Sequence, residues 1–394
     1  MAITERYGAH NYHPMPVNIV RAEGVFVWDG SGKQYIDCVG AYSAVAHGHQ
    51  NPAVVRALIE QLGKIALTSR AFYTTEVALF IQALAEYSEM DVVCPMNTGA
   101  EAVETCIKLA RKWAYKVKGV PDGQAEIIAC NDNFHGRTTT IVGFSTEQQY
   151  KDGFGPFTPG FKVIPFGDID ALRTAITPNT AAFLCEPIQA EGGIIIPPDG
   201  WMAAVRKLCD ENNVLLVWDE VQSGFCRTGR KFAWMYEDAK PDLMCVGKPL
   251  GGGLLPVSAA IGSSEVMEMF TPGDHGSTFG GNPLGAAVAL AGLAEMETKR
   301  YAERSERLGN RLMAAFRAWD IPNVIDVRGR GLLVGVEVAE GVDTERLVDA
   351  FLQNGILTKE TRSRTFRFAP PITIEDAQID EIVKRAEATF RSVC

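Results

Sequence analysis

Residues 213–253 read NVLLVWDEVQSGFCRTGRKFAWMYEDAKPDLMCVGKPLGGG, and this stretch decides the fold class. NVLLVW and DLMCV are short, apolar and not alternating, which is the pattern of strands covered on both faces. The first runs into Asp219-Glu220 and the second into Gly247-Lys248, ahead of a glycine-rich turn. Asp219 and Lys248 are twenty-nine residues apart, a spacing that fits successive strands of one sheet. Ligands of open parallel sheets bind at the carboxyl ends of strands, so both side chains can face one crevice. Taken singly, Asp219 also reads as a turn cap and Lys248 as a surface lysine.

The flanking sequence repeats the theme. EIIAC (126–130), KVIPF (162–166) and AAFLCEP (181–187) are further short apolar runs, and helical periods at 168–176 and 200–212 separate several of them. Asn51-Pro52 reads as an N-cap followed by proline at the first helical position, with further helices near 75–87 and 99–117. Strands alternating with helices predict an α/β fold: a mostly parallel central sheet, joined by right-handed crossovers and covered by helices. From residue 283 the texture changes to a long helical pattern, GLLVGVEV, a helix near 344–354, the strand RTFRFAPP and a closing helix 375–391. The first forty residues read as a hairpin that packs with this part. The predicted division is a large domain over 45–285 and a smaller α+β domain from 1–44 and 286–394.

The chain has 394 residues, 46% hydrophobic and 22% charged, with a formal charge of −10. That composition excludes a disordered or fibrous chain. Without a basic run, the acidic balance argues against nucleic acid or an anionic membrane as partner. No apolar stretch approaches the roughly 18–20 residues that span a bilayer, and the N-terminus reads as neither signal nor transit peptide, so a cytoplasmic location is expected. Nine cysteines without a CxxC pair predict neither a disulfide framework nor structural zinc. His10/His13 and His47/His49 lack neighbours to complete a shell, so no metal is expected.

Asn97-Thr98-Gly99-Ala100-Glu101 precedes a strong helix, where free N–H groups and the dipole favour a phosphate; plain N-capping is the alternative. Ser277-Thr278-Phe279-Gly280-Gly281-Asn282 adds hydroxyls before another helix. Gly329–Gly335 imitates a dinucleotide fingerprint, but its third glycine falls one place late and lies in a strand, so it is rejected. Phosphate, lysine amine and strand-end carboxylate together suggest pyridoxal 5'-phosphate: its aldehyde on Lys248, its protonated ring nitrogen held by Asp219. Amino-acid substrates need carboxylate anchors, for which Arg137 and Arg367 are candidates.

At these residues the chain resembles the class III, or ω-, aminotransferases among the fold type I pyridoxal-phosphate enzymes. YGAHNYHP, YSAV, SRAFY and GFGPFTPGF are similar to the ornithine-specific branch of that class, and PMNTGAEA, NFHGRT, EPIQAEGG, DEVQSGFCRTG, GKPLGGG, HGSTFGGNPLG, RGRGLL and RFAPP to the class as a whole. The resemblance implies that Lys248 carries the cofactor and shuttles the proton, Phe134 stacks on its ring, and Gln222 reaches its phenolic oxygen. Glu186 then supports the cofactor, while Gly99, Ala100 and Thr278 of the partner subunit hold the phosphate, which requires at least a homodimer. It further implies that Arg137 takes the α-carboxylate of L-ornithine, Tyr42 its α-amino group, and that Tyr73 shapes the same pocket. Glu191 masks Arg367 until 2-oxoglutarate or glutamate needs it. The implied reaction is ping-pong δ-amino transfer from L-ornithine to 2-oxoglutarate. N-acetylornithine or 4-aminobutyrate as donor, or an aminomutase on the same fold, are the alternatives. Read without the resemblance, Tyr42 and Tyr73 are core aromatics and the two arginines surface ion pairs. His135 departs from the animal ornithine enzymes, which carry tryptophan there.

Overall fold

The computed structural model describes residues 2–362 and 364–394. Leu215–Asp219 is buried at every position, as are Thr180–Cys185 and Leu243–Val246. Successive strand side chains point to opposite faces, and both faces are covered. Phe183, Leu216 and Trp218 enter one core, whereas Leu184, Leu215 and Val217 enter a second core on the other side. Full burial of each such side chain is worth roughly 1.5–3 kcal/mol, enough to fix register against a slip.

Glu126–Cys130, Phe161–Ile164, Thr180–Cys185, Leu215–Asp219 and Leu243–Val246 pair in parallel. Ser258–Gly262 runs antiparallel between Leu243–Val246 and Val92–Met96, completing seven strands. These last two strands are not predicted from the sequence. VVCPM carries a proline, tolerated because the strand lies at the sheet edge. SAAIG is built mostly of small residues with little strand preference.

The long helical pattern after 283 is two helices, Pro283–Thr298 and Tyr301–Arg317. The chain turns between them through Arg300 at φ +53°, with no glycine or proline to announce it. Val324–Arg330, Leu333–Val338, Thr365–Phe368 and Lys359–Thr361 form an antiparallel sheet, so the rejected glycine motif is a hairpin turn. Gln34–Asp37, from the N-terminal hairpin, pairs in parallel with Ile356–Leu357. Among the described residues no helix is long and apolar enough to cross a membrane.

Candidate active site

Five strands end at one edge of the central sheet and deliver the predicted residues to a cavity of about 160 Å3. Gly99, Ala100, Phe134, Glu186, Asp219, Gln222 and Lys248 all line it. Gly99 and Ala100 open the helix Gly99–Trp113. Thr98 and Glu101 form a reciprocal capping box: the Glu101 N–H donates to Thr98 Oγ1 at 3.3 Å, and the Thr98 N–H to Glu101 Oε2 at 2.7 Å. The first N–H groups of the helix then have no intrahelical acceptor and face the cavity with the positive end of the dipole. A Cβ at Gly99 would lie 2.9 Å from Val221 Cγ1, and one at Gly136 2.9 Å from Ala100 Cβ, so both glycines permit the close approach that shapes this end.

Asp219 lines the same cavity. Its Oδ1 accepts the Val221 N–H at 3.0 Å, and its Oδ2 lies 2.7 Å from His135 Nδ1. Burial opposes the His135 cation, but the hydrogen bond and charge of Asp219, with Glu186 nearby, lift it above the ordinary histidine value. Glu186 accepts the Phe134 N–H at 3.0 Å, and burial pushes it up to about 7. The partnership of His135 with Asp219 is absent from the sequence expectations. The adjacency of His135 to Phe134 in NFHGR was the available signal.

Lys248 follows the strand Leu243–Val246 at φ +43°, directly before Pro249. A non-glycine residue held in the left-handed region is strained, and such strain concentrates at functional sites. Burial depresses its amine, with Glu191 opposing, and no hydrogen bond engages the amine among the described residues. A free amine of lowered basicity is what carbonyl condensation requires.

A second polar group adjoins the cavity. Buried Arg367 donates through Nη1 to Glu191 Oε1 at 2.6 Å and to Gln222 Oε1 at 3.0 Å. Gln222 Nε2 donates to Glu191 Oε1 at 3.2 Å, closing the triangle. Burial raises Glu191, but Arg367, Lys248 and Gln222 together hold its carboxyl below the usual range. The Arg367 guanidinium lies 5.0 Å from the centre of the Tyr42 ring. Tyr42 belongs to a run of positive-φ residues, Gly40 to Ser43. Arg137 is exposed, stacks over Tyr150 at 3.8 Å and has no carboxylate partner among the described residues.

Two further expected residues, Tyr73 and Thr278, sit on exposed loops. Tyr73 is fully exposed and does not line the cavity. Thr278 is also exposed, on a loop tied back by Asn97 Nδ2 donating to Ser277 Oγ at 2.9 Å. The two segments are neighbours: a Cβ on Gly281 would lie 3.2 Å from Arg70 Cδ.

The family model for class III aminotransferases matches residues 7–390. This chain belongs to the class III aminotransferases. An ornithine aminotransferase from Exiguobacterium is 50% identical over 98% of this chain and 96% of its own length. The crystal structure of the ornithine aminotransferase from Toxoplasma gondii superposes with a TM-score of 0.98 at 42% identity, covering 100% of this chain and 94% of that one. The acetylornithine aminotransferase from Elizabethkingia anophelis reaches a TM-score of 0.90, also at 42% identity, over 99% and 98% of the two chains. Class III aminotransferases depend on pyridoxal phosphate. The residues present suit that group: among the described residues, helix N–H groups without an intrahelical acceptor for a phosphate, a carboxylate for the ring nitrogen, and an unengaged lysine, all lining one cavity.

Proposed function

We propose that this class III aminotransferase moves the δ-amino group of L-ornithine to 2-oxoglutarate, giving glutamate and glutamate 5-semialdehyde, which cyclises to pyrroline-5-carboxylate. The observation that carries this reading is the Arg367–Glu191 pair, 2.6 Å apart, together with an Arg137 that has no carboxylate partner among the described residues. With Arg367 neutralised, Arg137 is the free guanidinium for the α-carboxylate of ornithine, and Tyr42 meets the α-amino group, which directs the far δ-amine inward. When a dicarboxylate follows, Glu191 swings away and Arg367 takes its α-carboxylate. One site thereby accepts a dibasic and a diacidic substrate in turn.

Pyridoxal phosphate, when bound, supplies the carbonyl that accepts the amino group and the conjugated ring that stabilises a carbanion. The remaining work belongs to the chain. The Gly99 and Ala100 N–H groups, with Thr278 of the partner subunit, hold the phosphate; Asp219 keeps the ring nitrogen protonated; Phe134 stacks on the ring. Gln222 spends one amide N–H on Glu191 and keeps its second for the phenolic oxygen. Glu186 supports the ring from beside His135, and Lys248 attaches the cofactor and moves the proton. Residues 45–285 act as the cofactor-binding domain, with 1–44 and 286–394 as the smaller one. A homodimer is supported by the exposure of Phe72 (71%) and Phe279 (57%) on the adjoining loops that carry Tyr73 and Thr278.

Glu191→Gln tests the switch. Losing a charge-assisted contact of about 1.5–3 kcal/mol should lower kcat/KM for L-ornithine by about 10–150-fold and leave L-glutamate as donor unchanged or improved. Steady-state kinetics with both donors reads this directly, and equal losses for the two would refute the switch.

A further inference from the structure

Arg227 is the most heavily buried cation of the described residues, with no exposed surface. No carboxylate pairs with it among those residues. Its Nη1 donates instead to two backbone carbonyls of the C-terminal part, Leu332 O at 3.0 Å and Pro370 O at 2.6 Å. Burying a charge on neutral acceptors is costly, so the site calls for an explanation beyond packing.

The surrounding junction is tight. The Arg227 carbonyl accepts the Leu332 N–H at 3.1 Å and Ser305 Oγ at 2.8 Å. Gly331 is packed so closely that a Cβ there would fall 2.4 Å from the Thr228 carbonyl carbon, and a Cβ on Gly309 1.9 Å from Gly331 O. On the other side the junction leads back to the cavity. Thr228 Oγ1 donates to Ser223 O at 3.2 Å, and Ser223 Oγ donates to Glu220 Oε2 at 2.6 Å, next to Asp219. Pro370 stands three residues beyond Arg367, just past the end of the strand Thr365–Phe368. Arg227 thus joins the loop that follows the Asp219 strand to the strand end that carries Arg367.

We propose that Arg227 is a positioning residue for Arg367, fixing the end of its strand so that the guanidinium meets an incoming dicarboxylate once Glu191 has moved aside; with ornithine bound, the 2.6 Å ion pair to Glu191 holds the guanidinium without that help. The inference rests on reading Arg367 as the anchor for 2-oxoglutarate. Preorganisation of this kind is lost by displacements of about 1 Å. Holoenzyme carrying Arg227→Met should show a KM for 2-oxoglutarate raised about tenfold, while its half-reaction with L-ornithine alone stays within twofold. The glutarate concentration needed to raise Tm should rise by the same factor, a binding readout independent of turnover. In an Arg367→Lys background the Arg227 substitution should add nothing, since residues acting through one another are not additive. Should the Met variant not fold, Ser305→Ala loosens the same junction and should give the same selectivity at about threefold. Proportional loss in both half-reactions, or effects of Arg227 and Arg367 that multiply, would overturn the proposal. Wild-type enzyme inert to L-ornithine would refute the substrate reading instead, and the glutarate comparison would still decide Arg227.

Discussion

Lys248→Ala is expected to bind pyridoxal phosphate yet turn over L-ornithine and 2-oxoglutarate at least about 10⁴-fold more slowly than wild type. The size follows from the loss of two functions at one atom, covalent attachment and proton transfer, the second alone contributing about 10²–10⁴-fold. Lys248 is the lysine that lines the cavity, so no other amine among the described residues stands ready to replace it. Its strained backbone, at φ +43°, is set by the turn and remains in the variant, which separates a catalytic loss from collapse of the loop. Stopped-flow single turnovers on folded variant protein check the prediction. Turnover near the wild-type rate would remove Lys248 from the chemistry.

Asp219→Asn should be nearly as damaging. Asp219 is buried, hydrogen-bonded to the Val221 N–H and 2.7 Å from His135 Nδ1, whose hold on its proton it strengthens. A protonated ring nitrogen placed against it depends on the same negative charge. Removing one member of a buried charged pair costs about 3–5 kcal/mol, or about 10²–10⁴-fold in rate when the pair is needed in the transition state. The asparagine keeps the volume and one acceptor, so packing accounts for little of the effect. A fall in kcat of less than tenfold would mean that Asp219 does not hold the ring nitrogen protonated.

Much of this frame is legible before any coordinates. Strands covered on both faces announce themselves as unbroken apolar runs, which is why the stretches around 128, 183, 216 and 244 are readable and why each ends at the site. Ser258–Gly262 is hidden because an interior strand of small residues carries no periodic signal, and Val92–Met96 because of Pro95. The break at Arg300 is hidden for a different reason: its left-handed conformation falls on an arginine, with no glycine or asparagine there to signal it. At the site, short-range motifs reveal the ends of strands and helices but not the partners that tertiary structure supplies. The 2.7 Å contact of His135 with Asp219 and the carbonyl clamp around Arg227 join residues 84 and 105–143 positions apart. Tyr73 and Thr278 point to a third limit: both are exposed, and the roles proposed for them call on a second chain.

The central claim is that one site takes its amino group from the δ-position of ornithine and gives it to 2-oxoglutarate. The visible absorption spectrum of the holoenzyme tests it most directly, recorded before and after L-ornithine is added without any oxoacid, and again after 2-oxoglutarate. Loss of the visible band with ornithine and its return with 2-oxoglutarate is the expected result, with N-acetylornithine and 4-aminobutyrate at equal concentration changing it at least about tenfold more slowly. A band that ornithine leaves untouched while either of the other amines bleaches it would contradict the assignment of the donor.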